Sequence, residues 1–310
     1  MAKRTPQELA TALKDGLLSF PVTAFSDDFS FDEKTYGEHI AWQSSKGVAG
    51  LFAAGGTGEG FSLSPEEHRR VLDIAVAESN PEVPVLGSAS GATWQAVSNV
   101  KDAEAAGAEG VLALPPYLTE CTQEGLFAHV SAICEATSIG VIVYNRANAI
   151  YSAETIERLA DAHENFIGFK DAIGNIEHLA KVYGRNGDRL FYLGGLPTAE
   201  TYALPLLQLG LSTYSSAIYN FVPDFALEFY ADVRAQNHDA VSEKLRRFVL
   251  PYLDIRDRGE GYGVSIVKAG LKAIGRDCGT VRPPLRNLFE QEQLALEDLI
   301  RSAGIAPASC

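Results

Sequence analysis

Cysteine is scarce in this 310-residue chain: Cys121, Cys134, Cys278 and Cys310 are its four copies, with no Cys-x-x-Cys spacing. That excludes a disulfide framework and a paired-thiol metal motif, and reads as free thiols in a reducing compartment. Long apolar runs are also missing, and none approaches the ~20 residues that a membrane-spanning helix needs. The opening Met1-Ala-Lys-Arg-Thr-Pro-Gln-Glu8 has no apolar signal core, so the expected location is cytoplasmic. Positive charge is short: 26 Lys and Arg face 40 Asp and Glu, a net charge of −14. Such a balance argues against nucleic acid and anionic membranes as partners. An anionic small-molecule substrate would then need locally placed donors. Finally, the six histidines, at 39, 68, 129, 163, 178 and 238, fall in helix-like stretches and show no metal-ligand spacing. A metal site or a histidine-based triad is therefore not expected.

What the chain does have is apolar residues, 46% of the total, arranged in a steady alternation. Short apolar runs that read as buried parallel strands occur at 16–20, 50–54, 83–88, 110–114, 141–144, 166–170, 190–193 and 211–216. Helix-like patterns lie between them, at roughly 33–46, 65–79, 93–106, 122–137, 152–163, 175–184, 198–209 and 223–236. One start is written out in full. Ser64, Pro65 and Glu67 supply a cap, a first-turn proline and a capping-box acid in order. Eight βα units predict an α/β protein of the (β/α)8 TIM-barrel type; an open doubly wound sheet is the alternative. Residues 1–237 are expected to form the barrel with a short N-terminal helix. The stretches 238–253, 263–274 and 289–302 read as a C-terminal helical region, within 238–310, packed on it.

Chemistry in such a barrel sits at the C-terminal strand ends. Lys170 lies inside the apolar run Phe166-Ile-Gly-Phe-Lys-Asp171, where desolvation would favour its neutral form, the form a Schiff-base nucleophile requires. The bland alternative is a pairing with Asp171 or an escape to the strand end. After the second strand comes Gly55-Gly-Thr-Gly-Glu-Gly60. Phe61 stands where a dinucleotide fingerprint needs its third glycine. A loop whose amides receive a carboxylate is the preferred reading, against a plain turn. Tyr117 follows two prolines and reads equally as rim packing or as chemistry. Tyr144 at the end of the fifth strand suits proton relay, or core filling. Arg146 beside it suits a carboxylate, of a substrate or of a neighbouring side chain. Gly194 with Gly195, and Ser215 with Ser216, leave room and hydroxyls for a ligand at strands seven and eight, or read equally as tight packing of the barrel interior.

In order along the chain, Gly56-Thr57-Gly58-Glu59, Pro115-Pro116-Tyr117, Tyr144-Asn145, Gly168-Phe169-Lys170-Asp171 and Gly194-Gly195 resemble the dihydrodipicolinate synthase / N-acetylneuraminate lyase superfamily of Schiff-base barrels, from about Leu17 to the C-terminal helices. The resemblance implies Lys170 as the Schiff-base lysine, with no cofactor beyond that covalent adduct, and Tyr144 as the proton-shuttling tyrosine. Gly56 and Thr57 would bind the keto acid carboxylate. Tyr117 matches the first tyrosine of a Pro-Tyr-Tyr element whose second is Leu118 here, which puts a relay between subunits in doubt. Ala147 and Ala149 replace the proline and arginine of the synthases' Tyr-Asn-x-Pro-x-Arg. The run Tyr144-Asn-Arg-Ala-Asn-Ala149 is instead similar to the 5-dehydro-4-deoxyglucarate dehydratase branch, which removes water and CO2 to give 2,5-dioxopentanoate. That likeness implies a sugar diacid or 2-keto acid substrate, with Arg146, Asn148 and Ser215 or Ser216 at its far end. It also implies a homo-oligomer, a tetramer or dimer of dimers. The rivals are an aldolase of 2-keto-3-deoxy sugar acids and, in another class, a non-catalytic sugar-acid sensor.

Overall fold

A computed structural model describes residues 4–116 and 120–305. Eight parallel strands, β1 (Leu18–Ser19), β2 (Gly50–Phe52), β3 (Val85–Ala89), β4 (Gly110–Ala113), β5 (Gly140–Asn145), β6 (Phe166–Asp171), β7 (Phe191–Gly194) and β8 (Thr213–Ser216), form a closed barrel in sequence order. The seam closes between β1 and β8, with Leu18 opposite Ser215. Around it run α2 (Glu33–Ser44), α3 (Pro65–Glu78), α4 (Thr93–Ala106), α5 (Gln123–Glu135), α6 (Ala153–Ala162), α7 (Ile176–Asn186), α8 (Glu200–Leu207) and α9 (Pro223–Arg234). The sequence signal at α3 is realised: Ser64 caps the Glu67 amide and the Glu67 carboxylate returns to the Ser64 amide.

Two cores hold this architecture. The larger lies between strands and helices. The smaller fills the lumen with Leu18, Phe20, Phe52, Leu86, Leu112, Ile142, Ile167, Phe191 and Leu193, so the barrel is packed rather than a pore. The helix preceding the strands, α1 (Pro6–Lys14), stoppers its bottom with Leu9 and Leu13, both fully buried. Glycines at the starts of β2, β4 and β5 make room for that stopper. A β-carbon at Gly110 would stand 2.9 Å from Leu9, one at Gly140 3.2 Å from it, and one at Gly50 2.5 Å from Leu13.

The helical region beyond α9 agrees with expectation. The stretch 238–253 is helical throughout and continues to Arg256, as α10 (His238–Lys244), a π-type turn at Leu245–Val249 and α11 (Leu250–Arg256). The Leu250 N–H reaches back five residues to the Leu245 carbonyl. Pro251, which has no N–H to donate, follows at once; a π-type turn relieves the clash between its ring and the preceding turn. The remaining helices are α12 (Tyr262–Ala273) and α13 (Glu290–Ser302). Phe248, Tyr252, Ile266 and Leu296 join the larger core, so this region packs against the barrel.

Candidate active site

Lys170 enters the mouth from β6, in register with Tyr144 on β5 and Leu193 on β7. Only 4% of its surface is exposed. Its Nζ lies 3.6 Å from the centroid of the Phe20 ring and 4.5 Å from that of Tyr144. Among the described residues no carboxylate forms an ion pair with it. Asp171, the partner that a bland reading would supply, is occupied elsewhere. Its side chain accepts from Asn145 Nδ2 at 2.8 Å and from the amides of Gly174 and Ile173 at 2.7 and 3.3 Å. Burial first, and the Arg146 guanidinium second, hold the Lys170 amine well below the usual lysine range.

The Tyr144 hydroxyl donates to the Gly195 carbonyl at 2.9 Å and accepts from Arg146 Nη1 at 3.2 Å. Burial pushes the phenol up, and the Arg146 charge opposes that rise. A phenol with a cation on its oxygen, aimed by a hydrogen bond to the Gly195 carbonyl, can give and recover a proton beside the lysine. Gly195 is what permits the closeness: a β-carbon there would stand 2.7 Å from Lys170 Cγ and 3.0 Å from Tyr144 Cε2.

Gly56 and Thr57 line the opposite side of the cavity. Nothing described lies within 4 Å of where a Gly56 β-carbon would stand, so its backbone is open to a ligand. The loop is fixed from behind. Thr23 Oγ1 donates to the Gly58 carbonyl at 2.6 Å, and Glu59 sits in the left-handed region at φ 53°. The Glu59 side chain is fully buried and forms an ion pair with the equally buried Lys268 of α12 at 2.9 Å. Its other oxygen accepts the Arg282 amide at 2.9 Å. Arg282 in turn forks onto Glu67, with bonds of 2.6 and 2.8 Å.

The cavity is about 640 Å³, within the range of small-molecule sites. Ser215 and Ser216 line it. Ser216 Oγ donates to Glu200 Oε1 at 2.5 Å and accepts from the Tyr219 amide at 3.2 Å. Burial raises the Glu200 carboxyl to about 7. Gly194 and Asn148 are not among the lining residues. A β-carbon on Gly194 would point at Tyr214, 3.1 Å away, so Gly195 is the glycine that faces the cavity. Asn148 Nδ2 donates instead to the Pro116 carbonyl at 3.4 Å. Tyr117 lies outside the described residues. Missed in the sequence were Thr198, Tyr252, Arg256 and Tyr262, all of which line the cavity, as does Gly195 of the Gly194-Gly195 pair. Three of these belong to the C-terminal helices, where the sequence pattern signals only packing.

A family model described as the dihydrodipicolinate synthetase family matches residues 13–303. A Corynebacterium glutamicum protein named "Probable 5-dehydro-4-deoxyglucarate dehydratase" is 70% identical over 304 residues, covering 98% of this chain and 96% of the relative. Proteins of the same name from Arthrobacter sp. (strain FB24) and Bradyrhizobium diazoefficiens are 66% and 55% identical, over 98% and 97% of this chain and 100% and 96% of theirs. Among solved structures, dihydrodipicolinate synthase from Bacillus clausii superposes with a TM-score of 0.87 at 26% identity, over 95% of this chain and 99% of that one. The enzyme from Acinetobacter baumannii, complexed with pyruvate, gives 0.83 at 28% identity over 94% and 99%.

Proposed function

This chain belongs to the dihydrodipicolinate synthetase family, and from that premise we propose that it is a decarboxylating dehydratase. The reading takes 5-dehydro-4-deoxyglucarate to 2,5-dioxopentanoate, water and CO2 through a Schiff base on Lys170. The observation that carries it is the buried Lys170 amine, without an ion-pair partner among the described residues, facing the Tyr144 phenol in a cavity that also exposes Gly56 and Thr57. The names borne by the 55–70% identical relatives support the substrate. The pyruvate complex of the Acinetobacter enzyme supports a 2-keto acid at the lysine.

In this mechanism the neutral amine attacks the ketone and loses water, giving an iminium that withdraws electrons. A base removes a proton from the adjacent CH2. The enamine then expels the hydroxyl one carbon further on, which leaves with a proton as water. The resulting alkene is conjugated to the iminium, so the C–C bond to the far carboxylate breaks and its electron pair flows into that system as CO2 departs. Protonation, tautomerisation of the enol to the aldehyde, and hydrolysis return Lys170. Tyr144 carries protons between these steps, and the Arg146 guanidinium on its oxygen stabilises the phenolate. The keto-side carboxylate rests on Gly56 and Thr57. Ser215, whose hydroxyl has only a long 3.4 Å contact with the Gly194 carbonyl, can turn to the substrate, whereas the Ser216 hydroxyl is held by Glu200 and Tyr219. Assembly as a homo-oligomer belongs to the same proposal, and sedimentation velocity tests it.

The test of the reaction is CO2 release from 5-dehydro-4-deoxyglucarate, with pyruvate assayed in the same tube. CO2 without pyruvate is expected. Pyruvate without CO2 would make the protein an aldolase, and full turnover by Lys170→Ala would remove the Schiff base altogether.

A further inference from the structure

A six-carbon diacid brings two carboxylates into a chain of net charge −14, so the cavity must supply two local anion sites. The Gly56–Thr57 backbone accounts for one. Four charged side chains line the cavity: Arg146, Lys170, Arg256 and Asp257. Lys170 is consumed as the electron sink, and Arg146 stands at the reacting end, on the Tyr144 oxygen and close enough for its charge to act on the Lys170 amine. Arg256 remains.

Its setting is that of a built receptor. Arg256 ends α11 with its side chain 18% exposed. Nη1 donates to Thr198 Oγ1 at 2.7 Å and Nε to Asp257 Oδ1 at 2.8 Å. Two of the five N–H groups are thus used to aim the fork, and the rest are left for a ligand. Thr198, just beyond β7, is 5% exposed and has φ 54°. Positive φ in a β-branched residue is a genuine outlier, and such strain persists only where the surroundings enforce it. Here it delivers the hydroxyl to the guanidinium.

We infer that Arg256, braced by Thr198, receives the carboxylate remote from the ketone and selects 2-keto diacids over 2-keto mono-acids. The inference rests on the function proposed above, and deepens it by naming the residue that reads the second charge. A guanidinium on the carboxylate that departs as neutral CO2 binds the ground state at least as well as the transition state. Its removal should therefore raise KM and leave kcat intact.

The experiment is borohydride trapping on Lys170 with two probes that cannot be dehydrated, 2-oxoadipate and its mono-acid counterpart 2-oxohexanoate, in wild type, Arg256→Met, Arg256→Lys and Thr198→Val. Wild type should trap the diacid at a lower half-saturating concentration. Arg256→Met should raise that concentration by about 10- to 100-fold, the loss of a charge-assisted bond, without moving the mono-acid. Arg256→Lys should recover part of the difference, and Thr198→Val should fall between. With 5-dehydro-4-deoxyglucarate, Arg256→Met should raise KM with no fall in kcat. A diacid preference that survives Arg256→Met, or that wild type never shows, overturns the inference. If Arg256→Met fails to fold, an unchanged preference in Thr198→Val overturns it instead. A wild type that prefers 2-oxoadipate yet releases no CO2 from the sugar diacid overturns the dehydratase reading alone.

Discussion

The backbone of Gly195 is pressed against the side chain of Lys170 so closely that no other residue fits between them. A β-carbon at 195 would lie 2.7 Å from Lys170 Cγ and nearer still to Cε. The lysine stem is the flexible member of the contact, so it is the part that must move. Gly195→Ala should leave the melting temperature within a few degrees of wild type and displace the amine from its place between Phe20 and Tyr144. Misplacing a reacting group by about 1 Å can cost ~10²-fold, and kcat/KM should fall by at least that. Thermal melting and steady-state kinetics on one preparation check both halves.

Arg146 acts on two titrations at once. Its charge lowers the amine of Lys170, after burial, and opposes the rise that burial imposes on Tyr144. Removing it in Arg146→Leu raises both. The neutral amine is then scarcer at a given pH, so the acid limb of kcat/KM moves to higher pH, and the phenol loses its proton later, so the basic limb follows. A pH–rate profile displaced upward on both sides is expected, with activity at neutral pH reduced by about 10²-fold, the low end for a proton-transfer group. Displacement of one limb only would separate the arginine from the unmoved group.

Glu200 predicts a pH dependence of stability. Its carboxyl stands at about 7 in the folded protein against 4.5 in the unfolded chain. A raised carboxyl binds its proton more tightly when folded, so its contribution is complete below pH 4.5 and is lost as pH climbs through about 7. The loss is about 3 kcal/mol for a fully buried group. Urea denaturation of wild type and Glu200→Gln at several pH values across that window should show the wild type declining relative to the variant. Parallel curves would mean that Glu200 is ionised throughout.

The ion pair between Glu59 and Lys268, both essentially without solvent contact, should be costly to halve. Lys268→Met leaves a buried carboxylate unpaired and should destabilise by about 3–5 kcal/mol. The double variant Glu59→Gln/Lys268→Met should recover much of it, which chemical denaturation of the three proteins would show.

The barrel was legible because its evidence is local. Buried parallel strands are short apolar runs, and Ser64-Pro65-Glu66-Glu67 spells a helix start without reference to anything distant. Lys170 and Tyr144 stood out for a similar reason, as polar groups where the pattern calls for apolar ones. The neighbour that faces the cavity is Gly195 and not Gly194, because alternate residues of β7 point to opposite sides and the strand's last position is not fixed by a glycine pair. Arg256 and Tyr252 were invisible as site residues, since periodicity tells which helix face is buried but not what it is buried against. The π-type turn within the otherwise continuous helix of 238–256 was marked only by Pro251, and a single proline does not say whether the turn before it widens.

The Glu59–Lys268 tie has a consequence for the order in which the molecule is made. A chain leaving the ribosome contains every strand, Lys170 and Tyr144 well before α12 emerges. Until then Glu59 has no counter-charge, and the Gly56–Thr57 loop is held from behind by Thr23 alone. On the function proposed above, full competence to bind a keto acid would therefore come to the nascent chain only with the last helices to be translated.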